Sequence, residues 1–158
     1  MSDLHIIYGD GKGKTSCAVG MAIKAAGEGK QVIIVQFLKG KENADYNLLQ
    51  RLEPEIKVLS FERSDKYYCE LTPEEQEEQR GNIKNGLNYS KKVVDTGECD
   101  VLILDEMLGL FELGILTVEE VVTILQGGSD DLQVIMTGRT LPDQIRTIAN
   151  EVTKMSKS

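Results

Sequence analysis

The stretch Gly9-Asp10-Gly11-Lys12-Gly13-Lys14-Thr15-Ser16 concentrates glycine, lysine and hydroxyl residues in a single turn. Those residue types suit the gripping of linked phosphates. Glycines let the backbone fold tightly, so that successive N–H groups face inward toward an anion. A lysine of the length of Lys14 reaches a phosphate oxygen, and a hydroxyl such as that of Thr15 ligates a magnesium ion. The strict pattern G-x-x-x-x-G-K-[ST] asks for glycine at position 8, which is Tyr8 here; Gly9 comes one place late. The other reading of the stretch is a glycine-rich turn that happens to carry lysines. The flanks argue against it. A short apolar run, Leu4-His5-Ile6-Ile7-Tyr8, precedes the turn, and a helical pattern with Ala18, Met21, Ala22 and Ala25 on one face follows it. Strand, glycine turn and helix in that order make a phosphate-binding loop, with the positive end of the helix dipole aimed at the anion. The sequence therefore predicts a triphosphate cradle at Gly9, Asp10, Gly11, Lys12, Gly13, Lys14, Thr15 and Ser16.

A second constellation is acidic. Val101-Leu102-Ile103-Leu104 reads as a buried strand, and it ends in Asp105-Glu106. Carboxylates at such a strand end hold magnesium beside a phosphate loop, directly or through water; the alternative is a pair of solvated acids. Thr15, Asp105 and Glu106 are the predicted metal residues. Arg139 follows Gly138 at another strand end, where it could meet phosphate or a second substrate, or be a surface arginine. Lys39 is open in the same way. Tyr67-Tyr68 could stack on a flat ligand or lie idle in a loop. His5 is the only histidine and sits at a strand start, so a histidine-based dyad or triad is not expected.

The elements that must position these groups alternate along the chain. Gln31–Phe37 is a nearly continuous apolar run, as in a parallel sheet covered on both faces. Asn43–Leu52 reads as a short helix and Ile56–Phe61 as a third strand. Thr72-Pro73-Glu74-Glu75 opens a long helix with a capping box. Its first part, Glu74–Arg80, should face water, and Ile83, Leu87, Ser90 and Val94 should face the sheet. Gly81 and Gly86 in its interior mark close packing or a bend, since each costs about 1 kcal/mol there. Thr117 caps another helix, with Val118, Val121, Val122 and Leu125 inward. Gln133–Met136 is a fifth strand, Thr140–Asp143 opens a last helix, and Glu151–Met155 reads as a closing strand. Alternation of this kind predicts an α/β fold, a parallel β-sheet with helices on both faces, of the P-loop NTPase (RecA-like) type. Ligands in such sheets sit at the carboxyl ends of the strands. Gly9–Thr15, Lys39, Asp105-Glu106 and Thr137–Arg139 all fall there.

Size and charge set bounds. The 158 residues suit one domain, 1–158. The net charge of −8 disfavours nucleic acid as a partner. No apolar run approaches the ~20 residues of a membrane span. Cys17, Cys69 and Cys99 form no metal-binding spacing, and with no signal-peptide pattern the expected location is the cytoplasm.

Four blocks together resemble the ATP:corrinoid adenosyltransferase family. They are Tyr8 to Thr15, Val35-Gln36-Phe37-Leu38-Lys39-Gly40, Leu104-Asp105-Glu106 and Thr137-Gly138-Arg139. The likeness runs from about residue 4 to about residue 155, and the shortened phosphate loop is typical of that family. It implies an enzyme of cobalamin biosynthesis that moves the 5′-deoxyadenosyl group of ATP to Co(I) of a corrinoid and releases triphosphate. It implies Mg2+ as cofactor, with Mn2+ as a substitute. Lys14 and Glu106 would be catalytic, and Thr15 and Glu106 would ligate the metal. Asp105 would orient the metal waters or the loop. Lys39, Tyr67, Tyr68 and Arg139 are the substrate-side candidates. A homodimer and an electron-donor protein are the implied partners. Two features depart from the family pattern. The aromatic-rich segment after the third strand is reduced to Tyr67 and Tyr68, and the basic tail usually found beyond the position of Met155 is not seen before Ser158. The competing functions are a P-loop ATPase or small kinase, and a non-catalytic nucleotide-dependent partner of corrinoid proteins.

Overall fold

A computed structural model of the chain describes residues 1–38, 50–64 and 66–157. Its strands are β1 (Asp3–Tyr8), β2 (Val32–Gln36), β3 (Ile56–Ser60), β4 (Val101–Asp105), β5 (Gln133–Gly138) and β6 (Glu151–Lys154). They form one sheet in the order β3-β2-β4-β5-β1-β6. Every neighbouring pair is parallel. The helices are α1 (Lys14–Gly27), α2 (Pro73–Thr96), α3 (Gly109–Glu112), α4 (Val118–Gln126) and α5 (Asp143–Ile148). The expected α/β fold is the one observed. The expected helix Asn43–Leu52 lies, up to residue 49, outside the described residues.

The apolar strands are buried on both faces because alternate residues serve different cores. Val32 and Ile34 of β2 pack with Ala18, Ala22 and Ala25 of α1. Ile33 and Val35 pack with Ile83 and Leu87 of α2 and with Val121, Ile124 and Leu125 of α4. Small alanines face the sheet from α1, and larger side chains face it from α2 and α4.

The expected capping box of α2 is present, and Thr117, expected as a cap, forms a second one on α4. The Glu75 N–H donates to Thr72 Oγ1 at 3.2 Å, and the Thr72 N–H donates to Glu75 Oε1 at 2.9 Å. Thr117 and Glu120 repeat the exchange at 3.2 and 3.4 Å. Gly86 reflects close packing: a Cβ there would lie 3.1 Å from Phe37 and 3.3 Å from Phe61, whereas one at Gly81 would meet nothing within 4 Å. One expectation fails. The segment Glu74–Arg80 does not face water throughout. Gln79 is buried, and its Oε1 accepts the Arg63 N–H at 3.4 Å and an Asn82 amide N–H at 3.0 Å. Arg80 bends inward to donate to the Tyr68 hydroxyl at 3.2 Å and the Leu113 carbonyl at 3.3 Å. Polar side chains can be buried when their hydrogen bonds are satisfied, and these are.

The ends of β2 and β3 are joined by one carboxylate. Glu62 Oε2 accepts the Leu38 N–H at 2.6 Å. Leu38 itself has left-handed backbone, φ 57°. Burial pushes the Glu62 carboxyl above its ordinary value of 4.5, and the Leu38 hydrogen bond pulls it part of the way back. Between 4.5 and that higher value the folded protein holds a proton that the unfolded chain has released. The group's contribution to stability is therefore complete below 4.5 and is lost as pH rises through the folded value. Glu62→Gln removes the titration and keeps an acceptor for Leu38. In thermal unfolding across this range the variant gains on the wild type as pH rises, and it is the more stable of the two at neutral pH; parallel pH curves would contradict this account.

Candidate functional site

The glycine turn sits at the carboxyl edge of the sheet, between β1 and α1. The Gly9 N–H donates to the Gly138 carbonyl at 3.1 Å, which ties the turn to the end of β5. Gly9 and Gly13 have φ of 131° and 103°, conformations that side-chain-bearing residues rarely adopt. Gly13 is the N-cap of α1. No side chain caps this helix, and its first turn holds no acidic residue. The contrast with α2 and α4 is direct, since each of those is closed by its own threonine and glutamate. Helix geometry leaves the first-turn N–H groups without intrahelical partners, so the start of α1 is suited to an anion. The Lys14 ammonium lies over the turn and donates to the Gly11 carbonyl at 2.9 Å.

The acidic strand end meets this turn. Thr15 Oγ1 donates to Asp105 Oδ1 at 3.1 Å and to Oδ2 at 3.3 Å. Asp105 is 1% exposed, and Thr137 at the end of β5 is fully buried beside it. Thr137 Oγ1 donates to Asp105 Oδ1 at 2.7 Å and accepts the Glu106 N–H at 2.9 Å. Strand register explains the meeting. Leu104 pairs with Met136 and Ile7 with Thr137, so the next step along β4 brings Asp105 level with Thr137 and the turn after β1.

Glu106 is half-buried and has left-handed backbone, φ 62°. Such a conformation costs a non-glycine residue roughly 1–2 kcal/mol. The Thr137 hydroxyl on its N–H and the Gly109 N–H on its carbonyl, at 3.1 Å, hold it there. Backbone strain of this kind collects at functional sites. Hydroxyl and carboxylate oxygens are the hard donors that Mg2+ takes, and beside phosphates this ion uses one or two carboxylates rather than a protein cage. Thr15, Asp105 and Glu106 fit that chemistry. Among the described residues there is no group of three or more His, Cys, Asp or Glu that could hold a metal.

The remaining candidates separate. Arg139 is exposed just past β5. Tyr67 is 45% exposed. Tyr68 packs on the main core, and its hydroxyl and carbonyl accept from Arg80 and Gln76 of α2. Adjacent tyrosines thus differ, one wedged against a helix and one facing outward. Lys39 lies outside the described residues. A groove of about 330 Å³ between α2 and α4, lined in part by Lys84, Leu87 and Glu120, includes none of the site residues. Sequence reasoning placed Thr137–Arg139 at the ligand edge but gave a role only to Arg139, not to Thr137. A hydroxyl ends an apolar strand there, which is also ordinary β composition.

A sequence model of the family described as "ATP:corrinoid adenosyltransferase BtuR/CobO/CobP" matches residues 2–158. The chain belongs to the ATP:corrinoid adenosyltransferase family. It is 30% identical over 151 residues to the corrinoid adenosyltransferase of Escherichia coli K12, covering 95% of this chain and 74% of that enzyme. It is 29% identical to the corrinoid adenosyltransferase CobA of Salmonella typhimurium LT2, with the same coverage. An uncharacterized protein of Nostoc sp. PCC 7120 is 32% identical over 162 residues, 93% of this chain; the chain spans only 42% of that protein's length. Among the described residues of this adenosyltransferase family member, no helix is long and apolar enough to cross a membrane.

Thr137→Val removes both the donor to Asp105 and the acceptor for Glu106. Second partners of metal-site residues are commonly worth ten- to a hundredfold in affinity. Titration of a fluorescent ATP analogue should show a loss of about that size with Mg2+ present, a smaller loss without it, and recovery in Thr137→Ser. Equal affinities for all three proteins would remove Thr137 from the site.

Proposed function

We propose that the chain transfers the 5′-deoxyadenosyl group of ATP to Co(I) of a corrinoid, such as cob(I)alamin or cob(I)yrinic acid a,c-diamide, with release of inorganic triphosphate. The observation that carries this reading is the contact between Thr15 and Asp105 at 3.1 Å, made in a chain of this family. It puts the phosphate turn and the acidic strand end in one place.

In the proposed step the cobalt electron pair forms a bond to the ribose 5′ carbon, and the bond from that carbon to the triphosphate oxygen breaks. Cobalt rises from the +1 to the +3 state, and the leaving group carries away the electrons of the broken bond. The attacking atom carries no proton, so the site needs no general base. His5, 7% exposed and hydrogen-bonded at Nε2 to Thr153 Oγ1, then has only a structural part. The protein's work is alignment and stabilisation of charge on the departing triphosphate. The N–H groups at the start of α1 and the Lys14 ammonium perform the second task. Mg2+, when bound, supplies further positive charge there; Thr15 and Glu106 would hold it, and Asp105 would orient them. Arg139, Tyr67, Tyr68 and Lys39 are proposed for the corrinoid side. A homodimer, an electron-donor protein that keeps the cobalt reduced, and a cytoplasmic location complete the reading.

Product identity tests it. ATP, Mg2+ and a chemically reduced corrinoid should yield triphosphate and an adenosylated corrinoid in equal amounts. Lys14→Ala should lower turnover by about a hundred- to a thousandfold, the scale on which a group stabilising transition-state charge acts, with little change in melting temperature. ADP and phosphate as products, or ATP binding with no change in the corrinoid spectrum, would overturn the assignment.

A further inference from the structure

The glycine turn has a second wall, made by the chain just past β6. The Met155 N–H donates to the Tyr8 carbonyl at 2.8 Å, and the Met155 carbonyl accepts the Gly11 N–H at 3.0 Å. These bonds carry the contact between β1 and β6 past the end of the sheet and into the turn. The Lys157 N–H reaches Asp10 Oδ1 at 3.4 Å. The fit is close. A Cβ at Gly9 would lie 2.0 Å from the Met155 carbonyl oxygen. One at Gly11 would lie 3.0 Å from the Met155 carbonyl carbon and 3.1 Å from that of Ser156. One at Gly13 would come within 3.9 Å of the Met155 sulfur. Gly9, Asp10, Gly11 and Gly13 therefore each stand against residues 155–157. The space that forbids a side chain at Gly9 and Gly11 is filled by a neighbouring backbone, before any ligand is considered.

We propose that Met155 is a positioning residue of the nucleotide site: its backbone sets the shape of the glycine turn that receives the triphosphate. The inference rests on the reading of Gly9–Ser16 as the ATP cradle. Two tethers then fix the turn from opposite sides, the Gly138 carbonyl on Gly9 and the Met155 carbonyl on Gly11. A turn held in this way is ordered in advance and loses less conformational freedom when the anion arrives. Met155 acts through the loop, without touching the phosphates.

The test uses the full chain and two readouts. In nucleotide-free protein, amide exchange of Gly11 should be slowed at least about tenfold relative to that of Lys12, because Gly11 alone of the two donates to Met155. Met155→Pro keeps the carbonyl and deletes the N–H that anchors it to Tyr8. That variant should bind ATP about tenfold more weakly while β1 and β5 amides stay protected, and Met155→Ala, with the backbone intact, should bind as the wild type does. A Gly11 amide that exchanges as fast as Lys12 overturns the proposal, as does a Met155→Pro variant with unchanged affinity. If the proline variant fails to fold, the wild-type Gly11 amide decides alone. Wild-type protein that binds no ATP would instead defeat the proposed function, with Gly11 protection still judging whether Met155 shapes the turn.

Discussion

The structure depends on one buried carboxylate. Asp105 lies at the meeting point of three segments far apart in the chain and accepts hydrogen bonds from Thr15 and Thr137. A carboxylate with so little access to water is costly unless its lone pairs are occupied. Two hydroxyls occupy them here, and each belongs to an element that must be placed for the site to exist. Thr15 opens α1, and Thr137 ends β5. The same hydroxyl of Thr137 also takes the Glu106 N–H, so the backbone turn that aims Glu106 is fixed by the group that orients Asp105. Loss of either hydroxyl would remove a hydrogen bond to a buried carboxylate, and bonds to charged groups contribute roughly 1.5–3 kcal/mol.

Around this junction the strands end in unusual backbone. Leu38 and Glu106 follow neighbouring strands, and both are left-handed. Each is held by the hydrogen bond that its own N–H donates, to the Glu62 carboxylate in one case and to the Thr137 hydroxyl oxygen in the other. A side chain reaching up from an adjacent strand end thus compensates a conformation that neither residue favours by itself. The two turns also touch: the Leu38 side chain sits so close to Gly109 that a Cβ there would lie 2.7 Å from it. Gly109 in turn donates to the Glu106 carbonyl. The rim of the sheet is a set of interlocked turns, a construction suited to holding charged groups in fixed positions.

How much of this could be read from the chain varies by element, for physical reasons. Local signals carried the helices. Thr72 with Glu75 and Thr117 with Glu120 stand three positions apart, and the bonds they make involve no distant residue. Strand ends were visible because an apolar run stopped at Asp105 or before Gly138. Strand order was not visible. Buried parallel strands look alike, and nothing local to Val101–Leu104 says that β4 lies between β2 and β5. The approach of Asp105 to Thr15 is a property of that order. The part played by Thr137 went unread for the same reason, since a threonine in a strand carries meaning only when its neighbour is known. Gln79 was misread because one of its partners, the Arg63 N–H, is placed by the path of the loop after β3, which periodicity does not describe. Met155 lies just past the edge strand β6, and its contact with the glycine turn depends on where β1 ends.

The open start of α1 has an energetic corollary. Two of the longer helices finish themselves with their own side chains, but α1 begins at a glycine and offers its terminal N–H groups outward. A bound polyphosphate would serve as the missing cap. Occupancy and fold stability then become linked quantities, because a ligand that recognises only the folded chain stabilises it by about 2.7 kcal/mol at a hundredfold excess over its dissociation constant. In a cell rich in nucleotide, the protein would owe part of its resistance to unfolding to its own substrate.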